Sequence, residues 1–139
     1  MDADDQPTNT IMIVDSDEDN RCLLKSILEL KGFLVVQAAD GREAVELAIR
    51  RRPDLMLIEL KLPIISGFTA IRRIRKYAEL CSTPIIATSL NKPISHRNLA
   101  LAAGCAAHLE KPIEFDQLDI LLDRLLPGER VLLDSVLVH

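Results

Sequence analysis

The sequence has few cysteines, and their spacing argues against two common roles. Cys22, Cys81 and Cys105 are odd in number and form no Cys-x-x-Cys pair. Such a set predicts neither a disulfide framework nor a zinc site. All three lie in apolar or helical stretches, so we expect buried free thiols of a protein in a reducing cytosol.

The chain also lacks a long apolar run and an excess of positive charge. No segment approaches the roughly 18 apolar residues that a membrane span needs, and residues 1–10 are polar and acidic rather than a signal peptide. The net charge is −4 and the pI about 5.4. We interpret the basic stretches at residues 50–52 and 72–76 as solvated helix ends. The prediction is a cytoplasmic protein that binds neither membrane nor nucleic acid.

A glycine-rich phosphate loop is missing as well. The five glycines are isolated from one another, so none belongs to a loop that cradles phosphate. No serine and histidine stand as nucleophile and base at matching strand ends. The chain is therefore not expected to be an enzyme, and a flavodoxin-like ligand-binding protein remains as an alternative from another class.

What the sequence does contain is a fivefold alternation of buried and amphipathic stretches. With 139 residues and 48% hydrophobic residues, the chain is long enough for one core. The alternation is typical of βαβ units around a parallel sheet, which predicts a doubly wound α/β fold. Strands are expected at residues 11–14, 33–38, 54–60, 84–87 and 106–109, with later helices near 68–78, 94–103 and 115–126.

Polar residues follow these strands where each one ends. Right-handed crossovers bring such residues to a single edge of a parallel sheet. Taken singly, each has a plainer interpretation as a helix cap, a loop hydroxyl or a surface lysine. Together they place acids, hydroxyls and an ammonium at one edge: Asp15, Ser16, Asp17, Glu59, Thr88, Ser89 and Lys111.

These residues lie in motifs that resemble the receiver domain of two-component response regulators, from Ile11 to about Leu126. The matching motifs are the acidic residues after the first strand, Asp40-Gly41, Pro53-Asp54, Leu62-Pro63 with Gly67, Pro84 to Ala87, Ala103-Gly104 and Lys111-Pro112-Ile113. The resemblance implies a flavodoxin-like five-stranded parallel sheet of order 2-1-3-4-5 with five helices, spanning residues 10–127. Residues 1–9 are then expected to be a disordered tail and residues 128–139 an extension or linker.

The resemblance also implies a phosphorelay function, but this sequence has only some of the residues that the function uses in the family. In the family an aspartate accepts a phosphoryl group from a histidine kinase, two acids hold Mg²⁺, and a hydroxyl and a lysine contact the phosphoryl oxygens. Here Glu59 stands at the phosphoacceptor position, Ser16 replaces the second acid and His108 replaces the switch aromatic. Asp15, Ser89 and Lys111 match, which leaves Asp15 and Glu59 as candidate Mg²⁺ ligands.

Two hypotheses follow for the function of such a receiver. In the first, Glu59 reaches toward Lys111 and Ser89 as a permanent ion pair, and signalling does not depend on phosphorylation. In the second, the chain is a Mg²⁺-dependent phosphoacceptor that forms a glutamyl phosphate. The resemblance implies a histidine kinase or output protein as partner, or a homodimer, through a face that includes His96, Arg97, His108 and Gln117. The apolar residues Leu132, Leu133, Val136 and Leu137 would pack on the domain, form a dimer contact or begin a linker helix.

Overall fold

The chain forms five parallel strands and five α-helices, as seen in a computed structural model that describes residues 9–90 and 94–126. The strand order β2-β1-β3-β4-β5 confirms the predicted doubly wound sheet. The elements in chain order are β1 Thr10–Val14, α1 Glu18–Leu30, β2 Leu34–Ala38, α2 Gly41–Arg51, β3 Leu55–Glu59, α3 Gly67–Arg75, β4 Ile85–Ser89, α4 Ile94–Ala102, β5 Ala107–Glu110 and α5 Phe115–Leu125.

Helices cover both faces of the sheet, and this explains why the central strands are continuously apolar. Every residue of β3 and β4 is buried. Met12, Ile58 and Ile74 belong to the core that includes α2 and α3, whereas Ile13 and Leu122 belong to the core that includes α1 and α5. Alternate side chains of one strand therefore enter two different cores.

Local sequence signals fix several helix ends. Asp17 precedes α1 and accepts a hydrogen bond from the Asp19 N–H at 2.9 Å, while Asp40 precedes α2 and accepts one from the Glu43 N–H at 2.7 Å. Gly32 follows α1 with a φ of 97°, a conformation that glycine adopts at little cost. Asp40 thus caps the start of α2, and Gly32 marks the end of α1.

The third helix is shorter than the sequence predicted. Its regular part ends at Arg75, and the N–H of Tyr77 donates to the carbonyl of Ile74, three residues back. The chain then makes a short 3₁₀ helix at Ala78–Leu80. The helical spacing of apolar residues continues through this tightened turn, which is why the pattern did not reveal the boundary.

The prediction of three buried thiols was wrong for two of them. Cys22 and Cys81 are exposed, and only Cys105 is buried. Cys22 lies on the outward side of α1, whose inward side carries Leu24 and Leu28, and Cys81 follows the 3₁₀ helix in a surface turn. Burial raises the pKa of the Cys105 thiol to about 11.

Some predictions concern residues 1–8, 91–93 and 127–139, which lie outside the described part of the chain. They include the disordered tail and the role of the C-terminal extension. Among the described residues, no helix is both long enough and apolar enough to cross a membrane.

Candidate functional site

Strand pairing brings the predicted site residues to the carboxyl edge of the sheet. Val14 pairs with Ile58 in adjacent parallel strands, so the residues that follow them, Asp15 and Glu59, come to lie side by side. On the other side of β3, the N–H of Lys111 donates to the carbonyl of Ser89 at 2.8 Å. This edge is where open α/β sheets place their ligand crevice.

Lys111 joins the two acids directly. Its ammonium donates to Asp15 Oδ2 at 2.6 Å and also to Glu59 Oε2. The three side chains, called here the acid–lysine cluster, are nearly buried, with exposed fractions of 8% for Lys111, 3% for Asp15 and 9% for Glu59. Buried charges persist in a fold only when they are paired and hydrogen-bonded, and this cluster meets both conditions.

Ser16 occupies the remaining oxygen of Glu59. Its backbone N–H lies 3.0 Å from Glu59 Oε1, and its hydroxyl donates to the same oxygen at 2.8 Å. Burial raises the pKa of Glu59, but hydrogen bonds from Lys111 and Ser16 outweigh burial and leave that pKa below its ordinary value. For Lys111, burial acts to lower the pKa, and hydrogen bonds to Asp15 and Glu59 outweigh it and raise the pKa. Both groups are therefore held in their charged forms.

Asp17 does not join the cluster through its side chain. Its carboxylate caps α1, while its backbone N–H donates to Asp15 Oδ1 at 2.8 Å. Arg21, which the sequence analysis did not single out, donates to the backbone carbonyl of Asp15 at 2.6 Å. Hydrogen bonds to the side chain and to the backbone carbonyl of Asp15 thus hold the loop after β1 in place.

The predicted approach of Glu59 to Ser89 is not formed. The Ser89 hydroxyl instead lies 2.6 Å from His108 Nε2, between β4 and β5. The physical reason is that Ser16 and Lys111 already satisfy both oxygens of Glu59, and a histidine ring at position 108 offers Ser89 a partner on the neighbouring strand. His108 is half-buried, and Thr88, one residue before Ser89, is fully buried.

A cleft of about 620 Å³ opens over the acid–lysine cluster. Its floor is polar and several of its walls are apolar, including Leu23 and Leu90, which are 53% and 62% exposed. Sequence reasoning missed these wall residues because a single apolar residue in a helix or after a strand reads as ordinary core. The cleft is lined by Asp15, Ser16, Asp17, Asn20, Leu23, Leu24, Glu59, Leu90, Lys111, Pro112, Ile113 and Phe115.

Comparison with known proteins agrees with this fold. The response regulator receiver domain family matches residues 11–123. The chain belongs to that family. The polar-differentiation response regulator DivK of Brucella ovis is 31% identical over 106 residues, which cover 76% of this chain and 86% of DivK. DivK of Brucella anthropi is 32% identical over 104 residues, covering 75% of this chain and 85% of DivK.

Solved receiver structures superpose closely on this one. The receiver domain of sensor histidine kinase PA1611 from Pseudomonas aeruginosa has a TM-score of 0.81 and 31% identity, covering 88% of this chain and all of that domain, and it holds a magnesium ion in its active-site cleft. The chemotaxis response regulator CheY4 of Vibrio cholerae has a TM-score of 0.80 and 26% identity, covering 86% of this chain and 99% of that one. This protein is thus a two-component receiver domain, a signalling module of the kind that interacts with histidine kinases and output domains.

The donors at this site depart from the set that the family resemblance implies for Mg²⁺. Mg²⁺ requires near-octahedral oxygen ligands and relies on carboxylates. Here Ser16 supplies a hydroxyl in place of a second acid, and the ammonium of Lys111 contacts both Asp15 and Glu59. Within residues 9–90 and 94–126, no three His, Cys, Asp or Glu side chains are grouped to hold a metal.

Proposed function

We propose that this receiver domain signals without phosphoryl transfer to Glu59. The acid–lysine cluster would hold the domain in one constitutive arrangement, with a permanent carboxylate where the family has a phosphoacceptor. The observation that carries the proposal is the contact of the Lys111 ammonium with Asp15 and Glu59 together.

The hydrogen bonds of the cluster support this reading because they occupy the groups that phosphorylation needs. Both oxygens of Glu59 and both oxygens of Asp15 already accept hydrogen bonds from Ser16, Asp17 or Lys111. Oε1 of Glu59 would first have to lose a hydrogen bond from Ser16, and Oε2 is already paired with the Lys111 ammonium. Glutamate also extends about one methylene farther than aspartate, and a displacement of about 1 Å costs on the order of 10²-fold in a positioned reaction.

The position of Ser89 supports the proposal independently. In the family a hydroxyl at this position contacts phosphoryl oxygens, but here it bonds to His108. A phosphoryl group on Glu59 would therefore meet no free hydroxyl from Ser89 unless that bond broke.

A phosphodonor assay tests the proposal. Wild type is incubated with acetyl phosphate and Mg²⁺, and intact mass is followed; we expect no gain of a phosphoryl group. The matched control is Ser16→Asp with Glu59→Asp, which restores the family's residues at both positions and is expected to gain one. A stable gain in wild type that disappears in Glu59→Ala would refute the proposal and favour the glutamyl phosphate alternative.

Magnesium binding gives a second readout of the same proposal. Titration of wild type with Mg²⁺ is expected to show no saturable binding near millimolar concentration, because the donor set is one carboxylate short and Lys111 adds like charge. The Ser16→Asp, Glu59→Asp variant is the comparison. Tight binding by wild type would contradict the constitutive arrangement.

We propose that partners read this arrangement through the face formed by α4, β5 and α5. The exposed residues Arg97 and Gln117 lie on this face beside the half-buried His108, and they surround a cavity of about 460 Å³. A kinase, an output protein or a second copy would contact this face. Light scattering of the chain with and without residues 128–139 separates self-association through the extension from self-association through the face.

A further inference from the structure

Three exposed apolar side chains line the cleft above the acid–lysine cluster. Leu23 lies on α1, Leu90 follows β4 and Phe115 begins α5, and their exposed fractions are 53%, 62% and 39%. A single exposed apolar residue is ordinary on a protein surface. Three of them that come from separate segments and meet in one cleft are typical of a site that binds a ligand with an apolar body.

The size of the cleft fits a small molecule. Its volume is about 620 Å³, and sites for small molecules usually measure roughly 300–1,000 Å³. The acid–lysine cluster lies at its floor, and apolar side chains form much of its walls. In such a site the burial of apolar surface supplies most of the affinity, and a few polar groups fix the orientation of the ligand.

The floor of the cleft offers a hydrogen-bond donor to a ligand. The ammonium of Lys111 carries three N–H donors, and among the described residues its acceptors are Asp15 Oδ2 and Glu59 Oε2. The third donor belongs to a side chain that lines the cleft and is only 8% exposed. A buried donor that finds no acceptor costs free energy. A ligand oxygen that accepts a hydrogen bond from Lys111 would therefore be held at the floor.

The charges at the floor favour a neutral oxygen over an ionic group. Asp15 and Glu59 share one ammonium, so an anionic ligand would meet an excess of negative charge. A ligand ammonium would lie beside Lys111, and each oxygen of the two acids already accepts a hydrogen bond. Asp17 adds a third acid, but it is exposed, so salt screens its charge. A carbonyl oxygen accepts from Lys111 without adding charge.

We propose that this cleft binds a neutral, largely apolar small molecule whose carbonyl oxygen accepts a hydrogen bond from Lys111. The inference rests on the proposed function, because a receiver domain that takes no phosphoryl group receives its input in another form. The apolar body of the ligand lies against the exposed walls of the cleft. Its oxygen binds the ammonium that Asp15 and Glu59 share, so ligand binding acts directly on the acid–lysine cluster.

Four probes that share a phenyl group and a short alkyl chain test the chemistry of the ligand. Benzylacetone ends in a ketone, phenylpropylamine in an ammonium, hydrocinnamate in a carboxylate, and propylbenzene has no polar group. Each is titrated into the full chain while NMR follows the leucine methyl signals and the Cε signal of Lys111. We expect benzylacetone to bind with a dissociation constant of roughly 1 mM. It should bind more tightly than the two ionic probes, and about tenfold more tightly than propylbenzene, as a hydrogen bond to a charged group implies.

Matched leucine substitutions locate the site. Leu23→Gln with Leu90→Gln makes two walls of the cleft polar, and the fold should persist because both side chains are already exposed. Leu30→Gln with Leu99→Gln is the control, since these two leucines are also exposed but do not line the cleft. The first pair should weaken benzylacetone binding about tenfold, because less apolar surface is buried against the ligand. The control pair should leave the affinity unchanged.

Three outcomes would overturn the proposal. One is benzylacetone that binds no better than the other probes, and another is an equal loss of affinity in the two leucine variants. The third is a shift of the Leu23 and Leu90 signals when the ligand-free chain is diluted, since a second copy would then fill the cleft. The phosphodonor assay is read separately. Wild type that gains a phosphoryl group yet selects benzylacetone refutes only the proposed function, and wild type that does neither refutes only this inference.

Discussion

At the scale of single residues, Lys111 is the centre of the site. Asp15 and Glu59 lie close enough to share its ammonium, and they would repel each other without it. Removing one partner of a buried ion pair typically costs about 3–5 kcal/mol, because the remaining charge is left without compensation. The charges of the cluster therefore depend on one another.

This dependence predicts that two substitutions that each remove a charge lower the free energy of unfolding by different amounts. Lys111→Met leaves two carboxylates facing each other and is expected to lower the free energy of unfolding by about 3 kcal/mol. Glu59→Gln keeps a polar side chain beside Ser16 and should cost only about 1–2 kcal/mol. Urea unfolding of both variants and of the double variant measures the coupling. Additive losses would mean that Lys111 and Glu59 do not stabilise each other.

Ile64 is a second residue whose own conformation leads to a prediction. It lies in the loop after β3 with a φ of 73°, and it is 71% exposed. A β-branched residue is strained in this left-handed region, by roughly 1–2 kcal/mol.

Ile64→Asn should therefore stabilise the fold by about 1 kcal/mol, since asparagine tolerates this conformation and little apolar contact is lost. Ile64→Ala is the control, because it removes the same apolar surface but remains an ordinary residue at positive φ. Thermal unfolding that ranks alanine above asparagine would show that the loop is not strained at this position.

At the scale of elements, the loop between β3 and α3 controls the position of Glu59. Gly67 begins α3, and its N–H donates to the carbonyl of Leu60 at 2.9 Å. A Cβ added at Gly67 would lie 2.2 Å from the backbone carbonyl oxygen of Glu59 and 2.7 Å from the Cα of Leu60. Both contacts are with backbone atoms, so the loop would have to move.

Gly67→Ala is expected to destabilise the fold by about 2–3 kcal/mol and to shift the NMR signals of Glu59 and Ser16. Gly32→Ala is the matched control. Gly32 has a positive φ but no atom within 4 Å of the added Cβ, so its loss should cost about 1 kcal/mol and leave the site signals unchanged. Equal losses for the two variants would contradict the steric explanation.

At the scale of the whole molecule, the acid–lysine cluster sets the pH range of stability. The pKa of Glu59 is lowered in the fold, so its contribution is present above its ordinary pKa of 4.5 and is lost as pH falls through the folded value. The pKa of Lys111 is raised, so its contribution is present below its ordinary pKa of 10.5 and is lost as pH rises through the folded value.

The expected result is a stability difference between wild type and Glu59→Gln that is constant near neutral pH and shrinks below about pH 4. Urea unfolding at pH 7, 5 and 3 measures it. The Glu18→Gln variant, which alters an exposed acid in the first turn of α1, is the control for general acid effects. A difference that grows toward acid pH would have the wrong sign for a lowered pKa at Glu59.

The fold could be predicted from the sequence, because apolar periodicity and turn residues are local signals. Short stretches of sequence are enough to indicate the continuous burial of β3, the helix cap at Asp40 and the helix end at Gly32. The sequence also predicted that Asp15, Glu59 and Lys111 lie at one edge of the sheet, since right-handed crossovers make the strands parallel.

The pairing of those side chains depends on contacts between distant parts of the chain. Ser16 and Glu59 are 43 residues apart, and Ser89 and His108 are 19 apart, so no spacing rule could show that Ser16 binds Glu59 while Ser89 turns to His108. A hydrogen bond forms only where packing brings a donor and an acceptor to within about 3 Å of each other. Each oxygen accepts only a small number of hydrogen bonds, so an oxygen that already has its donors does not bind another. For that reason the placement of Asp15, Glu59 and Lys111 at one edge was predictable, whereas their hydrogen bonds and the exposure of Cys22 and Cys81 were not.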